Sequence, residues 1–331
     1  MVPHQPGSSM ASFGKPSGAS DGRQAADDLA WHSTGAARRR TRTWVDRGIA
    51  SLLFLAAASS VLITAGIVGI LVVESARFFA QVPLGDFLTD TLWAPLFAEP
   101  RYGILPLVAG TLVTTGVALL VALPMGTIVA IYLSEFAPPR LREGVKPLLE
   151  LLSAVPTVVY GYFALLFVTP LLRKVIPGLP SFSMLSAGLV MGIMIVPYVT
   201  SLSEDAMRAV PMILREGSYA LGANRVFTSF RVVYPAALSG IASAYILGIS
   251  RAIGETMIVA IAAGMQPNLT CNPLKPAETV TAYIVQVSQG DLPYGTIGYQ
   301  SIFAAGLTLF LMTLGFNIVG YWLRKRFREA Y

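Results

Sequence analysis

Charge is what this chain has least of. Asp, Glu, Lys and Arg make up 13% of its 331 residues, about half the roughly 25% usual in a soluble domain. The shortfall argues against an ordinary water-soluble fold of this size. Cysteine is nearly absent: Cys271 stands alone, so no internal disulfide can form. Histidine occurs only at His4 and His32, which speaks against a metal site. No G-x-x-x-x-G-K-[ST] phosphate cradle is present, since the only Gly-Lys pair, Gly14-Lys15, runs into Pro16. An ATPase site of its own is therefore not expected in the chain. Nor does an apolar stretch follow a short basic start. The first ~45 residues, rich in Gly, Ser, Ala and Arg, read as a disordered cytoplasmic tail (1–45) rather than a cleaved signal peptide.

What is present is long apolar sequence. Hydrophobic residues make up 54% of the chain, and the mean hydropathy is +0.63. Roughly 20 such residues cross a bilayer core as a helix. Six runs qualify: Ile49–Val73, Ile104–Leu133, Leu151–Leu172, Ser183–Leu202, Val232–Ala263 and Ser301–Leu323. The fold expected is all-α and membrane-integral. The second and fifth runs exceed the minimum, which implies tilt or an extension beyond the bilayer.

A net charge of +6 would suit nucleic acid, but the basic residues sit at the ends of apolar runs. With six spans, one side carries Arg38, Arg39, Arg40, Arg42, Arg47, Arg140, Arg142 and Lys146. It also carries Arg208, Arg215, Arg225, Arg231, Arg324, Lys325, Arg326 and Arg328. The other side has only Arg77, Arg101, Arg173, Lys174 and Lys275. The bias places both termini in the cytoplasm. Pro124, Pro156, Gly161, Pro197, Gly248 and Gly254 interrupt the runs. They fit either the general abundance of Pro and Gly in membrane helices or helices broken around a cavity.

Between the fourth and fifth runs lies a long polar loop, residues 203–231. Glu204 and Arg208 are four residues apart in the favourable acidic-first order for a surface helix. Pro211 breaks or restarts the helix, and a second helix over 212–221 ends at Gly222. A helix–glycine–helix hairpin of this kind is a knob that a partner can grip. Glu135, at the cytoplasmic end of the second run, reads as a solvated loop residue near Arg140.

Two charges fall inside the fifth run. Arg251 and Glu255 each cost about 2.5–3.5 kcal/mol at a helix centre, and their spacing puts them on one helical face where they can pair. They serve either as a structural ion pair or as part of a substrate path. A guanidinium offers forked donors that match two oxygens of an oxyanion. Glu255 would then either hold Arg251 and moderate anion binding or accept a hydrogen bond from a protonated oxyanion, such as the P–OH of hydrogen phosphate. Ser153, Thr157 and Tyr160 surround Pro156 and fit core hydrogen bonding or a lining of the same cavity; tyrosines also anchor at bilayer interfaces.

At the cytoplasmic loop the chain resembles permease subunits of ATP-binding-cassette importers. Their "EAA" loop reads Glu-Ala-Ala, three residues, Gly, nine residues, Ile-x-Leu-Pro. Glu216, Gly217 and Ser218 stand for the triplet, Gly222 for the glycine, Val232 for the isoleucine, Tyr234 for the leucine and Pro235 for the proline. Further stretches look like phosphate-specific permeases: Tyr102-Gly-Ile-Leu-Pro106, Ala130-Ile-Tyr-Leu-Ser-Glu-Phe-Ala-Pro-Pro-Arg140 and Val155-Pro-Thr-Val-Val-Tyr-Gly161. So do Ser201-Leu-Ser-Glu-Asp-Ala-Met-Arg-Ala-Val-Pro211 and Ser250-Arg-Ala-Ile-Gly-Glu-Thr-Met257. The Ser-Glu-Phe-Ala-Pro-Pro and Ser-Leu-Ser-Glu-Asp stretches are closer to the PstC type than to the PstA type. The resemblance covers about residues 47 to 328.

That resemblance implies a type I (MetI-like) importer permease spanning residues 46–331, with a core at 104–323, in the bacterial inner membrane. It implies pairing with a homologous PstA-type permease, two copies of a cytoplasmic ATPase that bind ATP and Mg, and delivery of inorganic phosphate by an external phosphate-binding protein. Glu216, Gly217, Ser218, Gly222 and Pro235 would couple to the ATPase; Arg251, Glu255, Ser153, Thr157 and Tyr160 would line the substrate path. Transport would proceed by alternating access. Another oxyanion, sulfate or molybdate, is the nearest alternative cargo. A membrane-embedded enzyme would need a nucleophile or metal constellation, yet no histidine lies in any run, Cys271 falls in an external loop and the acidic residues are not paired. A phosphate-sensing role would be an addition to transport rather than a replacement.

Overall fold

The computed structural model describes residues 21–95, 97, 99–290, 293 and 295–326. The chain divides into two compact units, residues 1–68 and 69–331. It opens with a long helix, α1 (Asp21–Phe79). Residues 21–45, expected to be unstructured, are helical. Alanines and arginines, strong helix formers, make up much of the stretch and carry the helix backward from the apolar run. The rest of the expected tail, residues 1–20, lies outside the described residues. In the first unit the apolar side chains Leu52, Phe54 and Leu62 are all exposed, as a span facing lipid requires.

In the second unit, α2 (Leu84–Thr89) and a two-stranded antiparallel ladder, β1 (Trp93–Ala94) with β2 (Arg101–Tyr102), precede α3 (Leu105–Ile131). Phe78, Phe87, Trp93, Tyr102 and Tyr283 pack edge to face around the ladder, the geometry that aromatic quadrupoles favour. α3 runs through a wide π-turn, Tyr132–Phe136, into α4 (Pro139–Ala154). Next come α5 (Thr157–Phe163), a π-turn, α6 (Thr169–Val175) and α7 (Met184–Arg208).

The central packing joins α3 to α7. Gly188 and Gly192, four residues apart on α7, have no Cβ, so the helix backbones approach closely. A Cβ at Gly188 would lie 2.7 Å from Val117, and one at Gly192 would lie 2.8 Å from the Ala118 carbonyl. Small residues at this spacing are the usual means of close helix contact in membranes. Around them Ala118, Ala122, Met191, Met194, Ile195 and Val199 form the largest buried cluster.

Among the described residues five helices are long and apolar enough to cross a membrane: Asp46–Phe79, Leu105–Phe136, Thr157–Val175, Met184–Arg208 and Ile297–Leu323. A sixth follows if the bent pair Arg225–Ala236 and Leu238–Ile253 counts as one. The third span starts at Thr157, not at Leu151. Val155 and Pro156 are extended (ψ 130° and 133°), so the preceding residues belong to the separate α4, which has no buried residue. The fifth run is not one continuous helix either. After α8 (Met212–Ala220) and α9 (Arg225–Thr228), it bends by 70° between α10 (Tyr234–Ala236) and α11 (Leu238–Ile253). It breaks again at Gly254 before α12 (Met257–Val259) and a last π-turn. Pro235, which has no N–H to donate, sits at the first break. A short α13 (Val280–Ser288) and the long α14 (Ile297–Arg326) complete the fold.

Candidate functional site

Arg251 occupies the last turn of α11, where the negative end of the helix dipole favours a cation. Its guanidinium carbon sits 4.3 Å from the ring centroid of Tyr198 on α7, close enough for a cation–π contact. Its Nε is buried without a hydrogen-bond partner among the described residues. Arg251 lines a cavity of about 390 Å³ with Glu150, Ser153, Tyr198, Ser201 and apolar side chains of α4, α7 and α11. A half-buried guanidinium that shares a mostly apolar wall with three hydroxyls and one carboxylate can attract an oxyanion.

The expected Arg251–Glu255 pair is not formed. An i,i+4 pair requires an unbroken helix, and Gly254 ends α11 between the two residues. Glu255 instead caps the far half of the broken span: one carboxylate oxygen accepts from the N–H groups of Met257 (3.1 Å) and Ile258 (3.3 Å). Its own carbonyl accepts from the Thr281 hydroxyl at 2.6 Å. Of the other expected pathway residues, Ser153 shares the cavity with Arg251, while Thr157, Tyr160 and Glu255 are not among its lining. Ser153 donates to the Glu150 carbonyl and Tyr160 to the Leu152 carbonyl across the α4–α5 break. Tyr198 and Glu150 were not singled out from the sequence. No spacing rule links either to Arg251, because α4, α7 and α11 meet only in the folded chain.

The second site is the hairpin. Pro211 precedes α8 with extended backbone (ψ 139°). Gly222 ends α8 at φ +82°, a left-handed conformation that favours glycine. Gly222 N–H bonds Tyr219 O and Ala223 N–H bonds Ser218 O, the double bond pattern of a Schellman stop. Asn224 then caps α9 by accepting from the Phe227 N–H at 2.8 Å. The Ser218 and Thr228 hydroxyls meet at 2.9 Å and lock the two arms. Glu216, Gly217, Gly222 and Pro235 are exposed and Ser218 is buried. The exposed residues are free to meet a partner; Ser218 acts within the hairpin.

Behind the hairpin lie charges that sequence reasoning missed. Glu135 is not a solvated loop residue: its side chain is 5% exposed and pairs with Arg215 at 3.0 Å. The π-turn over Tyr132–Phe136 inserts one extra residue into the helix and holds Glu135 on the buried side. Glu204 pairs with Arg208 at 3.7 Å as its spacing suggested, but it is buried rather than on the surface and also receives Lys146 of α4 at 3.1 Å. The Asp205 hydrogen bond foremost, then that of Glu204, raises the Lys146 pKa against the lowering effect of burial. A buried carboxylate needs a cation nearby, but the burial of both carboxylates is visible only in the folded chain.

The profile of the binding-protein-dependent transport system inner membrane component family matches residues 122–329. A probable ABC transporter permease protein, YqgH, of Bacillus subtilis is 34% identical over 276 residues, covering 83% of this chain and 88% of that protein. The phosphate transport system permease protein PstC of Xylella fastidiosa (strain 9a5c) is 32% identical over 288 residues, covering 81% and 87%. Among solved structures, a bacterial ABC transporter involved in the import of the acidic polysaccharide alginate aligns with a TM-score of 0.60 at 15% identity. That alignment covers 87% of this chain and 100% of the other.

Proposed function

This chain belongs to the family of binding-protein-dependent transport system inner membrane components, and on that premise we propose that it is the PstC-type permease of an ATP-driven phosphate importer. It is a multi-pass membrane permease. The observation that carries the cargo is Arg251: a guanidinium with an unpartnered Nε, half-buried in a cavity wall beside Ser153 and Ser201. Relatives named for phosphate transport at about 30% identity over most of the chain support the same reading.

In this mechanism two cytoplasmic ATPases, binding ATP and Mg, grip the exposed surface around Glu216, Gly217 and Gly222. A PstA-type permease supplies the other wall of the pathway, and an external phosphate-binding protein delivers the ion. Arg251 receives the anion by two-pronged hydrogen bonding. Glu150, exposed on the same wall, opposes retention of the anion by like-charge repulsion, the moderating part once open to Glu255. Closure of the ATPases displaces the hairpins and turns the cavity outward; reopening returns it inward.

Uptake of radiolabelled phosphate in cells lacking the chain tests the reading, with and without a tenfold excess of sulfate. Loss of uptake that the gene restores, indifferent to sulfate, supports it. Competition by sulfate would transfer the site to oxyanions at large, and unchanged phosphate uptake would reject phosphate as the cargo.

A further inference from the structure

Arg215 stands next to Glu216 in sequence but is turned into the protein. Its side chain is 11% exposed, and its guanidinium faces Glu135 with Nη2 at 3.0 Å from Oε1 and Nε at 3.5 Å from Oε2. The same group donates from Nη2 to the Met207 carbonyl (2.8 Å) and from Nη1 to the Val210 carbonyl (2.6 Å) at the end of α7. One side chain thus joins α8, the cytoplasmic end of α3 and the cytoplasmic end of α7. The Ser134 hydroxyl donates to the same Glu135 oxygen, Oε1, at 2.9 Å. Beside it, Leu214 packs on a buried cluster that includes Ile131, Met207, Val210 and Val233.

An apolar pair would hold these elements at least as firmly, because desolvating two charges offsets most of their attraction. Apolar contacts, however, have no direction and let surfaces slide. A forked guanidinium has one geometry and resists displacement along it. The hairpin's other arm, α9, runs on through the Ser229–Val233 π-turn into α10 and so toward the fifth span, whereas along the chain α8 reaches α7 only through Pro211, which has no N–H.

We propose that the Glu135–Arg215 pair is the link that carries movement of the hairpin into the spans, so that α8 and the ends of α3 and α7 move as one body. The proposal rests on the reading of the hairpin as the ATPase dock. Both residues act as positioning residues, not as contacts for substrate.

The test uses the intact complex, purified through this chain with the chains that accompany it, in a Cys271→Ser background. Spin labels at Met212 and Ile128, both exposed, report the distance between hairpin and second span. The expected result is one distance in the nucleotide-free and vanadate-trapped states of the parent complex. Glu135→Ala should make that distance change on trapping, and phosphate carried per ATP should fall by roughly tenfold or more. Glu135→Gln, which keeps an acceptor for Arg215, should restore part of both. A Glu135→Ala complex with a fixed distance, or with parental transport per ATP, overturns the proposal, as does a variant that lowers only the amount of complex. The distance does not depend on the cargo. If the parent carries no phosphate yet the distances behave as stated, the phosphate reading falls and the link stands. A parent complex that contains no ATPase removes the hairpin reading and the link together.

Discussion

Replacing Arg251 with glutamine separates what the residue does for folding from what it does for an anion. In the folded chain the guanidinium gains a cation–π contact with Tyr198, worth about 0.5–2 kcal/mol. Against that, glutamine removes a charge whose placement at a helix centre costs about 2.5–3.5 kcal/mol. The two changes oppose each other, so assembly in the membrane should not suffer. Transport should. A hydrogen bond to a charged partner contributes about 1.5–3 kcal/mol, which corresponds to a fall of roughly ten- to 150-fold in apparent affinity. The assay is the initial rate of labelled phosphate uptake across a concentration series, in cells lacking the parent chain, with the variant's membrane abundance measured alongside. Arg251→Lys should recover only part of the loss, because an ammonium keeps the charge without the fork or the flat stacking face. Parental uptake by Arg251→Gln at parental abundance would refute the reasoning and remove Arg251 from the pathway.

Tyr198→Phe should keep near-parental uptake, since the ring face alone meets Arg251, while Tyr198→Leu should lower uptake several-fold at unchanged abundance; equal behaviour of the two variants would dismiss the ring as the support. A Cβ added at Gly222 meets no neighbour within 4 Å, so Gly222→Leu is opposed at that atom by the φ of +82°, a backbone cost of about 1–2 kcal/mol. It should uncouple ATP hydrolysis from uptake, with Gly222→Asn much milder, and full phosphate-dependent ATPase activity in the leucine variant would disprove the coupling role. Gly188→Val would drive its Cβ into Val117 and toward the Thr114 carbonyl, an overpacking cost of about 1–3 kcal/mol. It should lower the melting temperature of the purified chain, while Gly116→Ala, with open space around it, should leave it unchanged.

Apolar run length and the punctuation of Pro and Gly located most of the spans and the hairpin, because both are local properties. Pro211 and Gly222 act through their own backbones, so the bounds of α8 were readable residue by residue. The errors fell where a local rule met a tertiary one. Leu151 and Leu152 are apolar enough to extend a span, but Pro156 separates them from it. Glu135 looked like a loop residue because it follows a span, and nothing in its neighbourhood pointed to Arg215, eighty positions away. Lys146 reaches Glu204 across a similar separation. Burial of a carboxylate is decided by what the rest of the chain brings to it.

The broken fifth span changes what Arg251 means. Paired with Glu255 on one unbroken helix, it would have been a neutralised charge with little to offer a ligand. Gly254 and the cap at Met257 and Ile258 take Glu255 away, and the compensation that remains is Tyr198 and the end of α11. A ring face supplies about 0.5–2 kcal/mol and a helix terminus about 0.3–1 kcal/mol, set against about 2.5–3.5 kcal/mol for the charge. The mid-range values leave about 1 kcal/mol of that cost, which a bound oxyanion can offset. In the proposed pathway Glu150, exposed on the same wall, opposes retention of the anion. A carrier needs both properties, since an anion held by a fully satisfied cation would gain nothing on entry, and one held without opposition would not leave. Glu150→Gln should therefore tighten phosphate binding to the complex while slowing its release, seen as a lower half-saturation concentration together with a lower maximal uptake rate. A variant with both values at parental levels would show that Arg251 alone sets the balance.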